Sequence, residues 1–265
     1  MVDLRLRARM MSPTMGLAPL LSLVIQRTHV GHVWLFKVSL LSVLWWLATG
    51  LWTSSRERRR RAVGLAAAAG LGLAQALSGH AADQGNITPA VLVDWLHVMA
   101  TAAWFGGLIW LRLFLPGVGE AVAAEALRRF SRVAAACVGL LVVTGLATAF
   151  QQVARPEALL TTVYGKTLVL KVVLVAGMVG LGGVTRLYVI PGLTGLTKPG
   201  LLARLVGRRV TALFGETRGP ALVRRGLFLI GLECLIGFVV LWCAAGLTQV
   251  PPPRAAMMLS PPHIH

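Results

Sequence analysis

Asp94-Trp95-Leu96-His97-Val98-Met99-Ala100-Thr101-Ala102-Ala103-Trp104-Phe105-Gly106-Gly107 lies in an apolar run that continues to Leu115. A run of that length crosses a bilayer as a helix, because lipid leaves backbone N–H and C=O groups no partners but each other. Ionisable groups inside such a span are costly and point to function. On a helix Asp94, His97 and Thr101 line one face, with Trp104 two turns beyond His97. The sequence therefore sets a pair of ligand-type side chains just inside a membrane.

Composition extends this reading to the whole chain. Of 265 residues, 56% are hydrophobic and only 13% charged, and the mean hydropathy is +0.74. Both values are far from those of soluble domains. Apolar segments fall at about 33–52, 62–80, 91–115, 127–150, 164–188 and 225–247. The expected fold is an all-α, polytopic transmembrane helix bundle of six spans. The stretch Met10 to Ile25, which contains Pro13 and Pro19, is read as an interfacial helix or a short seventh span. Three regions follow: a basic N-terminal segment over 1–32, a transmembrane domain over 33–247, and a Pro/Met/His tail over 248–265.

A net charge of +17 suggests nucleic acid in a soluble protein, but here the arginines report topology. Arg56 and Arg58 to Arg61 lie between the first two spans, and eight basic residues lie between Arg186 and Arg225. The positive-inside rule makes those loops cytoplasmic and leaves the C-terminal tail outside. All six histidines, His29, His32, His80, His97, His263 and His265, then fall on the outer side. Imidazole binds copper, zinc, iron and nickel, and thioether sulfur selects Cu(I). Interfacial histidines also occur without any metal, and none of these spacings is a closed zinc signature. Met257 and Met258 accompany the two histidines of the tail. The stretch Leu201 to Leu213, with Arg204, Arg208 and Arg209, reads as a basic amphipathic helix on an anionic leaflet.

Two charges lie within later spans. Lys171 is placed to snorkel outward, whereas Glu233 lies near the middle of the last span and must be protonated, paired or in a wet cavity. Pairing with Lys171, a proton relay and a second ion site are the alternatives. Cys137, Cys234 and Cys243 read as small hydrophobes with no disulfide among them, Cys234 being a candidate soft ligand beside Glu233. Met99 and Met178 are packing residues or softer sites for Cu(I). No nucleotide-binding loop is present.

These residues resemble the copper resistance protein D (CopD) family. Leu96-His97 through Trp104, Gly106 and Gly107 is similar to its Leu-His, Trp-x-Gly-Gly signature. In order follow Ser78-Gly79-His80-Ala81, Arg129-Phe130-Ser131 with Thr144-Gly145-Leu146, Tyr164-Gly165-Lys166 leading to Leu170-Lys171, and Leu232-Glu233 with Gly237 and Pro251-Pro252. The resemblance implies a multi-pass protein of the bacterial inner membrane that binds and transports copper, generally as uptake toward the cytoplasm. It implies a periplasmic partner of CopC type and no enzymatic activity. The metal candidates are His80, Asp94, His97 and Glu233, with His29, His32, Met99, Met178, His263 and His265 as weaker ones. Trp104, Gly106, Gly107 and Lys171 are assigned structural or gating roles. The competing functions are an accessory subunit that delivers copper within a larger membrane complex, and a haem-binding redox protein with His80 and His97 as axial ligands. Nucleic-acid binding has no support beyond bulk charge.

Overall fold

A computed structural model describes residues 25–26, 28–49, 57–79, 88–153, 156–194, 201–214 and 219–247. The expected helix before Ile25, His80 and the tail with His263 and His265 lie outside the described residues. Every described element is helical. The chain divides into two compact units, Met1–Met99 and Ala100–His265.

In the first unit α1 (His29–Ala48) starts at Thr28, whose side chain accepts a 3.1 Å hydrogen bond from the Gly31 N–H as an N-cap. Helix α2 (Glu57–Ala76) begins with Glu57, which pairs with Arg61 one turn on. The two pack antiparallel, with large residues of α1 set on glycines of α2. Leu47 Cδ1 lies 3.7 Å from where a Cβ on Gly64 would stand, and Leu40 Cδ1 lies 3.1 Å from the same point on Gly70. Helix α3 (Pro89–Phe114) starts with a proline at its first position, where no N–H is needed. The Val91 N–H reaches Thr88 Oγ1 at 3.3 Å.

The second unit comprises the remainder of α3, α4 (Glu120–Gln152), a single turn α5 (Ala158–Thr161), α6 (Val163–Val184), a π-helical turn over Thr185–Val189, α7 (Ile190–Thr194), α8 (Leu201–Phe214) and α9 (Pro220–Leu247). Gly117, at φ 84°, makes the turn from α3 into α4. Helix α4 starts at Glu120, earlier than the expected span, because its first turns are rich in alanine and carry Glu120 and Glu125 at the positive end of the helix dipole. The π turn lets α6 run on into α7 past the expected boundary at 188. The expected amphipathic segment forms α8, with Arg204, Arg208 and Arg209 exposed.

Helix α6, continued through the π turn and α7, runs antiparallel to α9 along one seam with a glycine at each crossing. Met178 lies on Gly237, Glu233 on Gly182, Val189 on Gly226 and Leu222 on Gly192. The missing side chains let the backbones approach closely, the usual means of association where lipid supplies no hydrophobic drive. The unit's core gathers Trp104, Leu108, Leu111, Leu127, Cys137, Met178, Leu222, Ile230 and Cys234.

Among the described residues five helical stretches are long and apolar enough to cross a membrane: Gly31–Ala48, Pro89–Phe114, Glu120–Gln152, Val163–Thr194 and Pro220–Leu247. The expected span at 62–80 is helical to Ala76 but is not among the five. Its helix opens with Arg58 to Arg61 and continues in alanine and glycine, which lowers its apolar character. Trp45, Phe150, Phe228 and Trp242 are at least 70% exposed on these helices. So much uncovered aromatic surface is stable against lipid and not against water.

Candidate functional site

Within the first unit, the early turns of α3 are held against α2 by three contacts. The Trp95 indole N–H donates to the Ala69 carbonyl at 3.0 Å. Met99 Sδ lies 2.8 Å from where a Gly72 Cβ would stand, so its thioether is packed on that glycine. Asp94 Oδ2 lies 3.8 Å from the corresponding point on Gly79. The carboxylate therefore faces the end of α2, one residue short of His80 along the chain. His97 lies one turn beyond Asp94 on α3, and neither of them nor Thr101 is an isolated polar group. His32 is exposed in the first turn of α1, and His29 begins that helix.

A polar contact the sequence reading missed lies beside this group. Lys37 Nζ donates to Gln75 Oε1 at 2.9 Å, joining α1 to α2 one turn before Gly79. Lys37 falls inside an expected span, so its charge was visible in the sequence. Its pairing with a glutamine 38 residues away was not.

Glu233, Cys234, Met178 and Trp104 are all buried in the second unit. The Glu233 carboxylate points into the α6–α9 seam, with Oε2 3.5 Å from where a Gly182 Cβ would stand. It forms no hydrogen bond or ion pair among the described residues. Of the three alternatives, pairing with Lys171 is not observed: Lys171 is eleven residues before Gly182 on α6, roughly 16 Å at a rise of about 1.5 Å per residue. Arg112, also unmarked in the sequence reading, reaches α9 at Gly231, with Nε 3.3 Å from a Cβ built there. All three cysteines are free thiols.

The two glycines after Trp104 differ in role. A Cβ on Gly107 would stand in the Phe130 ring, whereas Gly106 has nothing within 4 Å. Tyr164-Gly165 also has a structural explanation: Tyr164 is buried and donates its hydroxyl to Gln152 Oε1, while Gly165 lets the Ala158–Leu159 backbone of α5 cross. Among the described residues no three His, Cys, Asp or Glu side chains converge in a closed metal cage.

These features define a multi-pass, all-helical membrane protein with polar groups set between its helices. Residues 124–247 match the family described as Copper resistance protein D. The matched region contains Lys171, Met178 and Glu233; Asp94, His97, Trp104, Gly106 and Gly107 precede it. The chain is also similar to the copper transport protein CutJ of Bacillus subtilis (strain 168), at 31% identity over 166 residues, covering 59% of this chain and 30% of the relative. The chain thus spans about a third of the length of that relative. No solved structure matches.

Proposed function

We propose that this chain binds copper at the outer face of the bacterial inner membrane and carries it toward the cytoplasm, as a transporter and not as an enzyme. A periplasmic copper-binding protein of CopC type delivers the ion, and the C-terminus lies outside. The observation that carries this reading is the approach of Asp94 to Gly79. It sets a carboxylate beside the chain segment that leads into His80, with His97 one turn along α3 from that carboxylate. Imidazole nitrogen suits copper, and the carboxylate offsets the charge of an ion leaving water. The similarity to a copper transport protein supports copper over the other metals that imidazole accepts.

The test is elemental analysis for copper and iron on detergent-purified protein after copper loading and washing, with an Asp94→Ala/His97→Ala variant alongside. A loss of about one copper per chain in the folded variant supports the outer site, and uptake into inner-membrane vesicles then measures direction. Equal copper in both proteins sinks the site, and iron in place of copper transfers the reading to haem.

A further inference from the structure

We propose that the seam between α6 and α9 contains a second, intramembrane Cu(I) site formed by Met178, Cys234 and Glu233; this rests on the copper reading above and names its path beyond the outer site. Met178 and Glu233 are each 2% exposed and Cys234 is 8% exposed. The Met178 methyl lies 3.2 Å from where a Gly237 Cβ would stand. Gly237 is three residues past Cys234 and four past Glu233, so Met178 rests on the face of α9 that carries both. Gly182, one turn along α6 from Met178, faces the Glu233 carboxylate at 3.5 Å. At Gly237 the Phe105 ring of α3 packs beside the Met178 methyl, and at Gly182 the Glu233 carboxylate is the nearest group.

The chemistry of this group fits a monovalent soft ion. Thioether and thiolate are the sulfur donors that select Cu(I) over hard cations. Cu(I) replaces the Cys234 proton, which leaves to the solution, so the thiolate and the Glu233 carboxylate together balance Cu(I) and the Arg112 guanidinium, whose Nε lies 3.3 Å from a Cβ built on Gly231, and the occupied site is neutral overall. Glu233 is buried with no hydrogen bond or ion pair among the described residues, and a cation supplies a partner. Met99, by contrast, has its sulfur pressed on Gly72 in the first unit with no buried carboxylate among the contacts seen there.

The experiment loads the full chain in detergent with Cu(I), under reductant and against a Cu(I) chelator as competitor, and records copper X-ray absorption. Wild type and the Asp94→Ala/His97→Ala variant are expected to show sulfur-coordinated Cu(I). Met178→Leu/Cys234→Ala is expected to lose the sulfur signature, and Glu233→Gln to keep it with affinity lowered about tenfold or more. Met178→Leu conserves volume and serves as the single variant if the double one does not elute as a monodisperse peak. Sulfur-coordinated copper retained at unchanged affinity in the Met178 variants overturns the proposal, as does its absence from wild type. Failure of the outer site reads differently: copper content and uptake then stay unchanged in the Asp94/His97 variant, whatever the Met178 variants show.

Discussion

Glu233 faces Gly182 across the α6–α9 seam, its Oε2 3.5 Å from the point a Cβ on Gly182 would occupy. A buried carboxylate with no hydrogen bond or ion pair among the described residues gives the fold little through its charge. Glu233→Gln is therefore expected to leave the melting temperature in detergent unchanged or raise it, since an amide of the same shape needs no countercharge. Copper uptake into vesicles is expected to fall in the same variant. A melting temperature lowered by several degrees would make Glu233 a structural residue instead.

Gly107 and Gly106 are adjacent in the sequence and opposite in consequence. Gly107→Ala drives a methyl into the Phe130 ring, an overpacking that costs about 1–3 kcal/mol. The melting temperature should then fall by roughly 2–4 °C per kcal/mol for a domain of this size. Gly106→Ala meets nothing within 4 Å and should be neutral or stabilising by up to about 1 kcal/mol through helix propensity. Thermal melts of the two single variants decide this, and equal melting temperatures would remove the distinction.

The Trp95 indole hydrogen bond to Ala69 at 3.0 Å ties the start of α3 to α2. Trp95→Phe keeps an aromatic ring and loses the donor, at a cost of about 1 kcal/mol. Hydrogen exchange is expected to quicken in the α2 peptide around Ala69 and to remain unchanged in α9. Equal exchange in α2 of variant and wild type would show that the bond does not hold the helix.

Much of the fold was legible in the sequence because apolar runs of about twenty residues are simple to read. Helices stand at all six expected segments, and α8 forms where Arg204, Arg208 and Arg209 mark an amphipathic stretch. The second segment shows the limit: Arg58 to Arg61 belong to the same helix as the alanines that follow, so a helix and a membrane span were not the same prediction. Of the candidate site, Asp94, His97 and Glu233 were legible as ionisable residues inside spans. The Gly79–Asp94 approach, the Lys37–Gln75 bond and the open side of Gly182 were not, since each joins residues of different helices.

By itself the sequence determined an all-helical chain crossing a membrane, because a backbone in lipid must satisfy its own hydrogen bonds and a long apolar run does so as a helix. It also determined which rare polar residues enter that environment. Only the tertiary structure decided which side chains meet. Register and rotation between helices arise from where a large residue finds a glycine on its neighbour, as Met178 does at Gly237 and Val189 at Gly226. Those matches set Glu233 against Gly182 and away from Lys171, a choice that hydropathy along one chain does not encode.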